Sequence, residues 1–173
     1  MSKIDYDLKK IRGVAFDIDG VLSPACVPLG ADGNPQRMAN VKDGYALRLA
    51  VKRGLKLCII SGARGEGLEE RFRYLDIKDV YLKAGAKIDI FKAWMEREGL
   101  SAEETVFVGD DVPDRECMEE AGLAVAPSDA CPDILSVANY ISPCAGGYGV
   151  GRDVIEEILR AKGQWPVTDV AFG

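Results

Sequence analysis

Short β-rich runs alternate with segments of helical period along nearly the whole chain, the pattern of a parallel sheet covered by helices on both faces. The runs are Gly13–Phe16, Lys56–Ile60, Asp79–Leu82, Thr105–Val108, Leu123–Ala126 and Tyr140–Ile141. Between them, the segment Gly44–Lys52 puts Leu47, Ala50 and Val51 on one face and stops at Gly54. Ile88–Glu98 likewise aligns Ile88, Phe91, Trp94 and Met95 and stops at Gly99. A helix from about Pro113 to Ala121 is closed by Gly122, and Pro132 opens another carrying Ile134, Leu135 and Ala138. Ser101 with Glu104 forms a capping box for one short turn. The glycine-rich loop Gly146–Gly151 precedes a last helix, Asp153–Ala161.

This order predicts a Rossmann-like α/β fold, a three-layer α/β/α sandwich with a mostly parallel sheet. The 173 residues suit one domain with a core over about 11–162. One stretch breaks the alternation. Around Asp32-Gly33-Asn34, a strong turn signal, residues 23–41 read as a projecting β-hairpin. The tail, 163–173, is expected to be poorly ordered alone.

Composition then removes whole classes of function. A formal net charge of −6 argues against nucleic acid or an anionic membrane as partner, since both call for a basic face. No apolar run approaches the ~20 residues that span a bilayer, and the first dozen residues carry no address signal. The five cysteines form no C-x-x-C pair, which points away from a disulfide framework or a zinc site and towards a reducing cytoplasm. The chain has no histidine, so acid/base chemistry falls to carboxylates, lysine or tyrosine.

Three of the runs end in polar or acidic residues: Phe16 leads into Asp17, Ile60 into Ser61-Gly62, and Val108 into Gly109-Asp110-Asp111. In an open parallel sheet the carboxyl ends of the strands share one edge, where ligands bind. Asp17, Asp19, Asp110, Asp111 and Asp114 would gather there. Like charges at close range raise one another's pKa, and a hard cation resolves the conflict. Carboxylate and carbonyl oxygens around an open site describe magnesium. Lys87 precedes a helix, where a cation opposes the dipole by roughly 0.3–1 kcal/mol unless an anion is bound nearby. Ser61 and the backbone at Gly62 can hold phosphoryl oxygens.

Asp17-Ile18-Asp19-Gly20, Ser61-Gly62, Lys87 and Gly109-Asp110-Asp111 with Asp114, in this order, resemble the motif set of the haloacid dehalogenase superfamily. The resemblance implies that Asp17 is the nucleophile and Asp19 the general acid/base, with Ser61 and Lys87 as further catalytic residues. By it, Asp17, Asp110 and the main chain of Asp19 hold magnesium, Asp114 orients Lys87, and Asp111 orients the metal's waters. Neither gap between motifs has room for a cap domain. The capless group it resembles is the 3-deoxy-D-manno-octulosonate 8-phosphate (KDO 8-phosphate) phosphatases, on Asp43-Gly44-Tyr45, the run from Gly109 to Asp114, and Gly146-Gly147 with Gly149 and Arg152. That group implies a sugar acid phosphate substrate and a homotetramer in which the neighbouring subunit covers the site. Relatives acting on nine-carbon ketoacid phosphates share most of the pattern. Ser23-Pro24-Ala25 and Ala63-Arg64 depart from it, which bears on the choice of sugar acid. Gly62, Arg64, Asp43 and Arg152 are the expected substrate-binding residues, the guanidinium groups suiting a carboxylate or phosphate.

Other readings compete with these. A lone Asp-x-Asp-Gly is more often a turn than a catalytic site, and a lone lysine is more often solvated. Gly147 to Gly151 lacks the spacing of a dinucleotide loop. A receiver-type signalling domain shares a phosphoacceptor aspartate, an acidic pair, a hydroxyl and a lysine, but places its acceptor in mid-chain and lacks a second carboxylate two residues on. A catalytically silent oligomerisation protein would bind metal for stability alone.

Overall fold

In the computed structural model, which describes residues 2–165, all six β-rich runs pair in parallel. They are β1 (Gly13–Phe16), β2 (Lys56–Ile60), β3 (Asp79–Tyr81), β4 (Thr105–Val108), β5 (Leu123–Ala126) and β6 (Tyr140–Ile141), in the spatial order β3-β2-β1-β4-β5-β6. The helices are α1 (Val41–Lys52), α2 (Glu66–Tyr74), α3 (Lys87–Glu98), α4 (Arg115–Glu120), α5 (Pro132–Leu135) and α6 (Val150–Ala161).

Alternation along the strands builds two cores. Val14, Phe16, Leu57, Ile59, Val106 and Val108 face α1, α2 and α6, where Leu47, Phe72 and Ile155 meet them. Their neighbours Ala15, Cys58, Ile60 and Phe107 face α3, α4 and α5, meeting Phe91, Trp94, Met118 and Ile134. Strands buried on both faces are why these runs read as continuously apolar. The Phe91 ring meets Phe107 edge-on at 5.2 Å and stacks near Trp94 at 6.0 Å, while Trp94 Nε1 donates to Asp79 Oδ2 at 3.1 Å. These contacts seat α3 on the sheet, and with it the helix's first residue, Lys87.

Several elements differ from expectation in extent: β3 stops at Tyr81, α3 starts at Lys87 and α5 stops at Leu135, before Ala138. Asn40 caps α1, its Oδ1 accepting from Lys42 N and Asp43 N, so the helix begins three residues before Gly44. The last helix starts at Val150 within the glycine-rich loop, and the helix from Pro113 is split between a short turn, Val112–Asp114, and α4. The segment 23–41 does fold back at Asp32-Gly33, but as a loop with one antiparallel bridge, Leu29 with Pro35, and not a strand ladder. Pro24, Pro28 and Pro35 lack the amide a ladder needs. Of the tail, Gln164 N donates to Leu159 O at 2.7 Å and Trp165 lies against Arg152; 166–173 fall outside the described residues.

The strand order reverses direction between β1 and β4, which opens a crevice at their carboxyl ends. Asp17 N donates to Val108 O at 3.1 Å, continuing the β1–β4 ladder into that crevice. Asp17 and Asp110 therefore face each other across it.

Candidate active site

The loop after β1 is wound tightly, because Ile18 O accepts from the amides of Val21, Leu22 and Ser23 at 2.9–3.1 Å. Gly20 takes φ +85°, and a Cβ there would stand 1.9 Å from Asp110 Oδ2. Only glycine lets the β1 loop approach the β4 loop this closely. Gly109 serves the same purpose, since its Cβ would lie 2.4 Å from that of Asp114.

The approach packs carboxylates together. Oxygens of Asp17, Asp110 and Asp114 lie within 4.8 Å of one another. Lys87 Nζ sits between two of them, 2.9 Å from Asp17 Oδ2 and 2.7 Å from Asp114 Oδ1. Burial pulls the lysine's pKa down, but Asp114 and Asp17 outweigh it and leave the ammonium firmly charged. The same carboxylates offset the charge's opposition to the α3 dipole. Asp114 is fully buried, and burial followed by the Asp17 charge lifts it to about 6 against the pull of Lys87. Its Oδ2 accepts from Asp110 N at 3.0 Å, so both its oxygens have partners in the protein.

Asp110 is placed otherwise. Its Oδ1 is buried with no hydrogen-bond partner, and burial together with Asp114, Asp17 and Asp111 pushes its pKa up to about 8. A buried carboxylate oxygen without a donor is costly. An oxygen-seeking cation between Asp110 and Asp17 would satisfy it, and the donor set, all carboxylate, suits magnesium. Asp114, already committed to Lys87 and to a backbone amide, supports this site from behind.

The remaining positions line a cleft of about 530 Å³ that includes Asp17, Asp19, Ser61, Gly62, Arg64, Asp110, Asp111 and Asp114. Asp17 Oδ1 accepts from Ile18 N at 2.7 Å. Ser61 is buried, its Oγ accepting from Ala63 N at 3.2 Å, which leaves the hydroxyl proton to donate into the cleft. Asp111 caps the Val112–Asp114 turn through Oδ1, 2.8 Å from Val112 N. A larger hollow of about 720 Å³, floored by Leu47, Leu68 and Phe72, adjoins the cleft and shares Arg37 and Arg64 with it.

Two expected substrate ligands do not line the cleft: Asp43 lines the adjoining hollow, and Arg152 a separate hollow beside α6. Asp43 is buried, and its Oδ1 accepts from Arg152 N at 2.7 Å, capping α6, whose own N-cap Gly149 offers no side chain. Arg152 turns away from the cleft: Nε donates to Glu156 Oε2 at 2.5 Å and its guanidinium lies 4.4 Å from the Trp165 ring centre. Both residues join α1 to α6.

Burial raises the Asp43 pKa to about 6, beyond what the amides of Arg152 and Gly151 recover. The unfolded chain gives up this proton near 4, so between the two values the folded state binds more protons. Asp43 therefore contributes stability that is full at low pH and lost as pH rises through about 6. Relative to Asp43→Asn, the wild type should lose on the order of 2–3 kcal/mol between pH 4 and 7. Urea unfolding of both proteins across that range measures this, and parallel curves would refute it.

Sequence reasoning missed Arg37. From the folded-back loop it grips both oxygens of Asp19, at 2.6 and 2.8 Å. No spacing signal marks an arginine in an irregular loop; only its charge against an acidic edge could have drawn notice.

A family model for the haloacid dehalogenase-like hydrolases matches residues 34–122. The 3-deoxy-D-manno-octulosonate 8-phosphate phosphatase KdsC of Escherichia coli K12 is 35% identical over 156 residues, 90% of this chain and 83% of that protein. The crystal structure of the corresponding phosphatase from Yersinia pestis superposes with a TM-score of 0.87 at 32% identity, covering 91% of this chain and 85% of that one. That of Moraxella catarrhalis, in complex with magnesium, phosphate and KDO, gives 0.85 at 28% identity over 90% and 89%.

Proposed function

The chain belongs to the haloacid dehalogenase-like hydrolase family, and from that premise we propose that it is a magnesium-dependent phosphatase converting KDO 8-phosphate to KDO and inorganic phosphate. The observation that carries this reading is the cleft where Asp17 and Asp110 meet over Lys87, with Asp110 Oδ1 lacking a donor, in a chain 35% identical to a KDO 8-phosphate phosphatase. The substrate named for the relatives in E. coli and Y. pestis, and the magnesium and KDO of the M. catarrhalis complex, support it.

The roles follow from chemistry. Asp17 attacks phosphorus in line with the ester oxygen, the P–O bond breaks, and Asp19 gives its proton to the leaving alkoxide. Asp19 then takes a proton from water, whose oxygen attacks the aspartyl phosphate on Asp17 and releases phosphate. Lys87 fixes the plane of Asp17 and lends positive charge to the phosphoryl oxygens, while Asp114 holds Lys87 in place. Ser61 and the backbone at Gly62 bind phosphoryl oxygens, and Arg64 at the mouth binds the sugar acid. Asp17, Asp110 and the main-chain carbonyl of Asp19 would hold magnesium. When bound, it neutralises charge that builds on the phosphoryl group.

The assembly we propose is a homotetramer whose neighbouring subunit covers the cleft. Leu29, Met38, Val41 and Tyr148, large apolar residues between half and four-fifths exposed, support a partner at the loop side. The proposed home is the cytoplasm, which suits five unpaired cysteines, and no described helix is long and apolar enough to cross a membrane.

Phosphate release from a panel of sugar acid phosphates, with light scattering on the same sample, tests the reading. Turnover of the eight-carbon substrate should exceed that of nine-carbon ketoacid phosphates at a mass of four chains. Preference for a nine-carbon ester would move the substrate, no turnover of any would refute the enzyme, and a mass of 18.7 kDa would refute the assembly.

A further inference from the structure

Arg37 grips the proposed acid/base in a geometry that conflicts with its task. Nε donates to Asp19 Oδ1 at 2.6 Å and Nη2 to Oδ2 at 2.8 Å, while Nη1 donates to Arg64 O at 3.0 Å. A general acid needs one oxygen aimed with its proton at the leaving group. A general base needs an open lone pair facing water. A planar fork that takes both oxygens fixes the carboxylate's plane and favours neither.

The pair is also built to part. The Asp19 side chain is 40% exposed and that of Arg37 12%, so the carboxylate is already partly solvated. The loop that carries Arg37 has no strand ladder behind it: Met38 N reaches Ser23 Oγ at 3.3 Å, and the single Leu29–Pro35 pairing is held by Gln36 N to Pro28 O and Gly30 N to Asn34 O, each at 2.8 Å. Arg37 stands where the cleft meets the adjoining hollow and lines both. An arginine fork that fits one carboxylate fits another.

We propose that Arg37 is a substrate-released latch, a positioning residue that holds Asp19 off the reacting line until the carboxylate of an incoming sugar acid phosphate draws the guanidinium away. Arg37 exchanges one carboxylate for another, and Asp19 is freed to protonate the leaving alkoxide only when a substrate bearing the second anion is seated. The inference rests on the assignment of Asp19 and on the substrate class given above. It adds a device by which the chain refuses phosphate esters that lack a carboxylate.

The test compares wild type, Arg37→Ala and Arg37→Lys on two esters whose alkoxide leaving groups both need a proton, KDO 8-phosphate and glycerol 3-phosphate. For Arg37→Ala, kcat on glycerol 3-phosphate should rise about threefold, the release of one partly exposed ion pair. KM for the sugar acid phosphate should rise about tenfold or more, the loss of one charge-assisted contact. Arg37→Lys should keep part of the discrimination, and millimolar guanidinium should lower the raised KM of Arg37→Ala. Circular dichroism checks folding, with Arg37→Gln as the substitute should the alanine variant not fold. Equal loss on both esters, or no change on either, overturns the latch. If the wild type turns over glycerol 3-phosphate but not the sugar acid phosphate, the substrate assignment fails instead. The latch then stands or falls on whether kcat for glycerol 3-phosphate rises in the variant, and a wild type inactive on both esters overturns both readings.

Discussion

Asp17→Asn is expected to abolish phosphatase activity, by on the order of 10⁴-fold or more, in a protein that still folds. An amide has no anionic oxygen to form the phosphoenzyme, so the two-step route closes and no neighbouring group replaces it. The fold should survive because the substitution is nearly isosteric and its electrostatic consequences oppose each other. Lys87 loses one of two carboxylate partners but keeps Asp114 at 2.7 Å, while Asp110 and Asp114 lose a repelling neighbour. Phosphate release with KDO 8-phosphate, alongside a circular dichroism melt, reads both halves. Activity within tenfold of wild type would assign the nucleophile elsewhere.

Asp110→Asn should have effects of opposite sign on activity and on metal-free stability. Magnesium-dependent turnover is expected to fall by about 10³-fold or more, as chelation should do to the wild type, because a proposed charged ligand is gone. Without metal, the variant should be at least as stable as wild type. The folded-state pKa of Asp110 is raised to about 8 by burial first and then by Asp114, Asp17 and Asp111. A carboxyl held protonated by the fold adds stability that is full below its unfolded pKa near 4 and lost as pH rises through about 8. The asparagine carries no such loss, so the gap in the variant's favour should widen between pH 5 and 8. Magnesium should close that gap by stabilising the wild type alone. Thermal melts at both pH values, with magnesium and with chelator, measure it. A variant less stable than wild type in chelator at pH 8 would show that Asp110 is not under strain.

These expectations turn on interactions that the sequence made legible to different degrees. The four central β-rich runs were readable because a strand buried on both faces needs a continuous apolar stretch, and three of the helices because Gly54, Gly99 and Gly122 mark where they stop. Parallel pairing then puts every strand's carboxyl end on one edge, so Asp17, Ser61 and Asp110 could be gathered without coordinates. The loop 23–41 was harder. Its turn was visible at Asp32-Gly33, but pairing there depends on which amides find acceptors, and the prolines leave only the Leu29–Pro35 bridge.

By itself the sequence determined the β-rich runs and, through parallel pairing, the active edge, because apolar period is a local property; the class of reaction was implied by the resemblance of the motifs to the haloacid dehalogenase superfamily. Tertiary structure alone decided which charge each carboxylate meets. Lys87 is shared by Asp17 and Asp114, Asp110 keeps an oxygen without a donor, Arg37 reaches Asp19 from an irregular loop, and Asp43 turns to cap α6. Electrostatic pairing depends on distances of a few ångströms between residues far apart in sequence, in surroundings whose burial sets the strength of every charge. No spacing along the chain encodes those distances.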